Sequence, residues 1–238
     1  MSPTFVGPVP LTTVLVLALD TATPAVTAGV VELLPDSTTL LAQRVTVNAK
    51  AHGELLTPHV QDSLAEAGRT FADVDAIVVG SGPGPFTGLR VGMATAGALG
   101  QALNRPVYPV STLDVLALDA ATGHPLLVAT DARRREVYWA AYDALGRRVD
   151  GPHVERPADV AEKLAALGVR EAAGEGASIY AETLGLTVVD VRYPSPVGLV
   201  SAASAEVLAQ ARPAPLTPLY LRRPDAVEPV GRKRVTRA

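Results

Sequence analysis

The residues in this sequence whose types and spacing could do chemistry are few. Asp20 and Asp131 each close a short apolar run, Leu15-Val-Leu-Ala-Leu-Asp20 and Leu126-Leu-Val-Ala-Thr-Asp131. A carboxylate at a strand end can hold a metal, reach a phosphate through water, or bond its own backbone in a turn. Two-metal nuclease chemistry needs several converging carboxylates. Asp20 and Glu54 are available, but the end of the next apolar run reads Gly80-Ser81, which argues against it. His52 and His59 are seven apart, two helical turns or about 10 Å along an axis. One metal with ligands near 2 Å cannot bridge that, so a helix-surface or capping role is expected for each. Ser81 lies in Gly-Ser-Gly rather than a G-x-S-x-G elbow, so nucleophilic catalysis finds no support. Asp131-Ala-Arg-Arg-Arg-Glu136 groups three basic residues after a strand, either an anion site or a solvated turn.

The chain is organised around residues 80–103, which open as Gly80-Ser-Gly-Pro-Gly-Pro-Phe-Thr-Gly-Leu-Arg90. Gly82, Pro83, Gly84 and Pro85 force a tight non-helical path. Thr87 is the expected N-cap, after which Leu89, Met93, Ala96 and Leu103 recur at helical spacing. Gly88, Gly92, Ala96 and Gly100 stand four apart, a line of small residues. Each interior glycine costs a helix roughly 1 kcal/mol relative to alanine, so a close backbone approach is expected to offset it. The loop itself reads two ways. Backbone N–H groups at a helix start, with Arg90 in the first turn, suit an anion, and a strand-to-helix turn needs the same glycines for its dihedrals. The loop carries neither a P-loop Gly-Lys-Ser/Thr nor a G-x-G-x-x-G fingerprint.

Composition narrows the classes. A chain of 238 residues allows one large domain or two small ones. Apolar residues make up 48% but aromatics only 4%, so the core is built of small aliphatics. A net charge of −3 does not announce a nucleic-acid binder. Zero cysteines exclude disulfides, thiolate zinc and a cysteine nucleophile. No run approaches the roughly 18 apolar residues of a membrane span. Residues 1–13 lack Lys and Arg, and the apolar run at 14–19 is too short for a signal-peptide core. A cytoplasmic protein is expected.

The periodicities predict strands at 14–19, 25–33 and 40–47, a helix at 52–68, a buried strand at 76–80, the central helix, and a strand at 107–110. The helix at 52–68 carries Leu55, Leu56, His59, Val60, Ser63 and Leu64 on one face. After a helix at 112–121 the order repeats. Strands fall at 126–131, 136–143 and 148–155, a helix at 159–167, a strand at 170–174, a helix at 178–184, a strand at 187–191 and a helix at 196–211. Two β-β-β-α-β-α units make an α/β chain with a duplicated ribonuclease H-like fold. The expected units are 14–110, joined by the helix 196–211, and a smaller one at 111–195. A Pro-rich basic tail spans 212–238, with six basic residues from Arg222 onward against Asp225 and Glu228.

Several segments together resemble a known family. They are Leu17-Ala-Leu-Asp-Thr-Ala-Thr23, His52-Gly-Glu-Leu-Leu-Thr-Pro58, the glycine loop through Gly92, Val110-Ser-Thr-Leu113, Asp131-Ala-Arg-Arg-Arg-Glu-Val-Tyr138 and Pro218-Leu-Tyr-Leu-Arg222. The chain resembles the TsaB (YeaZ) family. The resemblance implies an actin-like, Hsp70-like ATPase fold and a non-catalytic role beside the transferase TsaD, with the ATPase TsaE, in making threonylcarbamoyladenosine next to the tRNA anticodon. It implies indirect contact with tRNA, a homodimer when alone, and no support for the older peptidase label. It also implies a partner or dimer interface on the two N-terminal helices, at Leu55, Leu56, His59, Val60, Ser63, Gly88, Gly92, Met93, Ala96 and Gly100. Asp20, Thr21, Gly84, Thr87 and Arg90 are the candidates for nucleotide or anion contact, expected only within the TsaD complex. TsaD carries a His-x-x-x-His metal site after the strand that follows the glycine loop. Here that place reads Ser111-Thr-Leu-Asp-Val-Leu-Ala117, without histidine. Asp131 is followed by bulky Ala-Arg-Arg-Arg, where actin-like ATPases want a glycine-rich phosphate loop. No metal, no cofactor and no catalytic residue are expected. The competing reading is a self-sufficient nucleotide-binding phosphotransferase or ATPase of the same fold.

Overall fold

The computed structural model describes residues 13–222. The apolar run at the start forms β1 (Val14–Asp20), paired antiparallel with β2 (Ala25–Leu34), which pairs antiparallel with β3 (Ser37–Val47). The chain crosses through α1 (His52–Glu66) and a 3₁₀ turn (Phe71–Asp73) to β4 (Ala76–Gly80), parallel to β1. It then crosses through α2 (Phe86–Leu103) to β5 (Val107–Val110), parallel to β4. The first sheet therefore runs β3-β2-β1-β4-β5.

After α3 (Thr112–Ala120) the plan recurs with β6 (Leu126–Asp131), β7 (Val137–Tyr142), β8 (Arg148–Glu155), α4 (Pro157–Leu167) and β9 (Glu171–Ala173). Two short helices, α5 (Glu175–Ile179) and α6 (Ala181–Leu184), lead to β10 (Thr187–Val188) and α7 (Pro196–Leu208). The second sheet runs β10-β9-β6-β7-β8, the same order with each strand replaced by its counterpart. This is the duplicated ribonuclease H-like, actin-like architecture.

The central strands are buried on both faces, and their period of two divides the core. Leu15, Leu17 and Leu19 of β1 face α1 and α2, while Val16 and Ala18 face α7. In the second unit Leu127 and Ala129 of β6 face α4, while Leu126 and Val128 face α3. α3 links the units, with Val115 in the first unit's core and Leu113, Leu116 and Ala117 in the second's. The Asp119 carboxylate at the end of α3 accepts from Ser195 N (2.8 Å) and Ser195 Oγ (2.6 Å). The Ser195 hydroxyl in turn accepts from Gly198 N at 2.9 Å, capping α7. α7 therefore packs on the first sheet although it comes after the second in sequence. No helix among the described residues is long and apolar enough to cross a membrane.

Two local expectations are corrected. α2 starts at Phe86 with Pro85 as its N-cap, so Thr87 lies inside the first turn and does not cap. The helix expected at 178–184 begins at Glu175, behind Gly174 at φ 100°, and breaks at Tyr180. An added Cβ at Gly176 would fall 2.7 Å from Thr130 C, so the glycine lets α5 sit directly on the end of β6. The start of the expected Pro-rich tail also has defined contacts. Leu216 packs on the first core, Leu219 N donates to Ser81 O (2.9 Å), and Arg222 Nη1 donates to Ala132 O (2.9 Å). The remainder of the tail, 223–238, lies outside the described residues.

Candidate functional site

The end of β1 and the start of α2 form one locked unit. Asp20 is fully buried; its Oδ1 accepts from Ala22 N (2.8 Å) and its Oδ2 from Thr112 Oγ1 (2.7 Å). The Thr21 hydroxyl donates to Gly88 O at 2.7 Å and accepts from Gly92 N at 2.9 Å, inside α2. A Cβ at Gly92 would stand 2.5 Å from Thr21 Oγ1, and one at Gly88 2.7 Å from Thr21 O. One at Gly84 would fall on the Ala22 backbone, and one at Gly100 on Val107. The line of small residues is thus a groove that receives its own chain, from the β1 turn down to the start of β5. His52 Nε2 donates to Thr23 O at 2.8 Å and tethers α1 to the same turn, while His59 Nε2 meets Thr46 Oγ1 of β3 at 2.9 Å. Both histidines are buried ties between helix and sheet, not surface or capping groups.

These contacts correct the interface assignment. Leu56, His59, Val60, Ser63, Gly88, Gly92, Met93, Ala96 and Gly100 are all buried within the chain, leaving almost nothing for a partner to cover. Leu55 is half-buried. The close approach foreseen for the glycines is made by the chain itself. α2 presents a different ridge to solvent, with Phe86, Arg90, Ala94, Ala98 and Gln101 exposed. At its head Phe86 stacks on Tyr220 (centroids 5.2 Å apart) and carries the Arg90 guanidinium 4.7 Å from its ring centre.

The candidate nucleotide contacts divide in the same way. An actin-like fold implies a nucleotide between its units, and the residues here do not fit its phosphates. Asp20, Thr21 and Gly84 are buried, and the N–H groups of Ala22 and Gly92 are already committed to Asp20 and Thr21. Thr87 and Arg90 are exposed in the first turns of α2. On the second unit, Arg133, Arg134 and Arg135 hold φ of 63°, 55° and 62° in place of a glycine loop. A left-handed non-glycine residue costs roughly 1–2 kcal/mol. The turn is closed by Ala132 N to Glu136 O (2.9 Å), Glu136 N to Arg133 O (3.0 Å) and Arg133 N to Asp131 Oδ1 (3.0 Å).

Sequence reasoning missed Glu175. It sits at the head of α5 with its Oε1 accepting from Asp131 N at 3.2 Å, and its Oε2 is buried without a hydrogen-bond partner among the described residues. Burial pushes its carboxyl up to about 7, with the charges of Asp131 and Asp20 adding to the rise. Burial likewise pushes Asp20 up to about 6, against the hydrogen bonds from Thr112 and Ala22. The only signal in the sequence was the Gly-Glu-Gly at 174–176. Among the described residues no group of three or more His, Cys, Asp or Glu is placed to hold a metal ion.

A family model described as TsaD, tRNA N6-adenosine threonylcarbamoyltransferase, matches residues 40–226. An uncharacterized protein of Mycobacterium tuberculosis is 54% identical over 211 residues, 89% of this chain and 93% of the relative. The Escherichia coli tRNA threonylcarbamoyladenosine biosynthesis protein TsaB is 38% identical over 130 residues, 53% of this chain and 54% of the relative. The solved structure of YeaZ from Pseudomonas aeruginosa is similar at a TM-score of 0.72 with 33% identity, covering 87% of this chain and 100% of that one.

The locked turn has two measurable outcomes. Gly92→Leu drives carbon into Thr21 and costs about 3 kcal/mol, which for a chain of this size lowers Tm by roughly 6–12 °C. Ala94→Leu on the exposed ridge leaves Tm unchanged in the same thermal melt. The second outcome concerns pH. Asp20 and Glu175 bind protons more tightly folded than unfolded, so their contribution to stability is full below about pH 4. It is lost as pH rises through about 6 and about 7. His59, whose pKa burial lowers, works the opposite way, so the comparison with a variant is the measure. Between pH 5 and 8 the Tm of Glu175→Gln minus that of the natural chain rises.

Proposed function

The chain belongs to the TsaB/YeaZ family, and from that premise we propose that it is an accessory subunit for threonylcarbamoyl transfer to the adenosine next to the tRNA anticodon. The transferase is a TsaD partner, and the ATPase TsaE joins the pair. The chain does no chemistry of its own. The observation that carries this reading is the fate of the phosphate-binding positions. In one unit the turn after Asp20 is bolted into α2 through Thr21, and in the other the equivalent turn is filled with arginines. Both support a fold kept for its outer surface rather than for nucleotide turnover. Any nucleotide belongs to the assembled complex, against exposed groups such as Arg90 and Thr87.

The surface that fits a partner is the outward ridge of α2 beside α1. Ala94 and Ala98 are exposed and small, which permits a second helix pair to approach closely. The same ridge serves a homodimer when the transferase is absent, so the two assemblies exclude each other.

Reconstitution of TsaD, TsaE, tRNA and threonylcarbamoyl-adenylate, with and without the chain, tests the role. Modified tRNA forms only when the chain is added to TsaD, and the chain alone yields neither product nor multiple ATP turnover. Ala94→Arg weakens binding to TsaD at least tenfold while changing stability by no more than about 0.5 kcal/mol. Sustained ATP turnover by the pure chain contradicts the reading, and a folded Ala94→Arg variant that binds TsaD normally moves the interface elsewhere.

A further inference from the structure

The two units pack on each other chiefly through α3, a helix of 9 residues with Val115 in one core and Leu113, Leu116 and Ala117 in the other. Among the described residues the remaining strands and helices of one unit barely touch those of the other. Units joined over so small a contact move relative to one another unless something further holds them. Residues 212–222, which close on Pro218-Leu-Tyr-Leu-Arg222, make a further crossing after α7. At its start Ala211 O accepts from the Tyr108 hydroxyl of β5 at 3.1 Å. Leu216 lies on α2, its Cδ1 3.3 Å from where a Cβ at Gly97 would stand. Leu219 N donates to Ser81 O at the end of β4 (2.9 Å), and Tyr220 stacks on Phe86 at the head of α2. The segment is thus seated along the first unit, and its next side chain reaches the second. Arg222 Nη1 donates to Ala132 O (2.9 Å), and the guanidinium pairs with Glu136. Ala132 and Glu136 are the two ends of the turn after β6, closed on each other by Ala132 N to Glu136 O at 2.9 Å.

The grip on the second unit is a single side chain, and its setting favours it. The Arg222 and Glu136 side chains are 24% and 32% exposed, so water screens the pair less than it screens a surface pair. The same guanidinium spends a second N–H on a backbone carbonyl, which fixes its direction. We propose that residues 212–222 form a strap, with Arg222 as its clasp, that holds the second unit in one orientation against the first and ties that orientation to partner docking. Tyr220 is exposed and stacked on Phe86, the first residue of the outward ridge of α2. A partner seated on that ridge therefore covers strap and helix together. Docking favours the clasped state, and the clasped state favours docking by the same factor; this coupling rests on the partner reading above. Arg222 is a positioning residue here, since it acts through the strap.

The test uses the full chain, whose lack of cysteine lets a spin-label pair go only where it is placed. Ser37→Cys, at the exposed start of β3, and Ala144→Cys, exposed in the turn after β7, put one label on each unit. Pulsed electron resonance gives one narrow distance distribution for the otherwise natural chain. Arg222→Ala roughly doubles its width, and on the unlabelled chain weakens TsaD binding about fivefold or more, the lower range for linked sites. Arg212→Ala, on the same segment but exposed and outside the clasp, changes neither. Glu136→Ala removes the ion pair and keeps the bond to Ala132 O, so it gives the same two effects in smaller measure, and it decides the matter if Arg222→Ala does not fold. A broad distribution in the natural chain, an unchanged width in the clasp variants, or an unchanged TsaD affinity beside a changed width each overturns the proposal. TsaD that fails to bind the natural chain overturns the partner reading and the coupling with it. TsaD that binds the natural chain and the clasp variants alike removes the strap's part in docking and leaves the accessory function standing.

Discussion

The Thr21 hydroxyl, donating to Gly88 O and accepting from Gly92 N, is the contact on which the rest of the structure depends. It is a side-chain bridge between the end of the central strand and the backbone of α2, and it requires that positions 88 and 92 carry no Cβ. With α2 held there, Gly84 meets Ala22, Gly100 meets Val107, and His52 ties α1 to the same turn through Thr23 O. A hydroxyl that bonds both ways in a buried site gains little net energy from either bond, but losing one partner leaves a buried polar group unpaired. The lock therefore fixes where α1 and α2 sit, and with them which residues remain outside.

The two units share one topology and diverge beyond the ends of their central strands. In the first, the strand ends in a turn that dives into a glycine groove, and the helix beyond runs 18 residues. In the second, Gly174 and Gly176 bring a helix of 5 residues onto β6, and the turn points outward with three left-handed arginines. The charges of Asp131 and Asp20 add to the rise at Glu175, and the raised pKa values of Asp20 and Glu175 arise from burial that their hydrogen bonds only partly offset. In the first unit the turn that follows the central strand is bonded into α2, and in the second it carries three arginines at positive φ.

Much of this was legible in the sequence. Near-continuous burial of β1 and β6 reflects apolar runs closed by Asp, and the repeated order reflects their spacing. Periodicity could not say what would cover the line Gly88, Gly92, Ala96 and Gly100. A stripe without bulk signals close approach by some backbone, and only the fold shows that the backbone is the chain's own. The same ambiguity hid His52 and His59, whose partners Thr23 and Thr46 are brought to them by the sheet. Glu175 was missed because its burial depends on Gly174 and Gly176 pressing α5 onto β6. The packing of 212–222 was missed because irregular Pro-rich chain carries no period to read.

Amide hydrogen exchange at Gly92 and Ala22, monitored residue by residue in the native chain, tests the central claim most directly. If the turn after β1 is locked into α2, both amides exchange only through global unfolding, with the same protection as the core amides of β1. Exchange at either amide orders of magnitude faster than in β1 would show that the turn opens on its own, and would contradict the account.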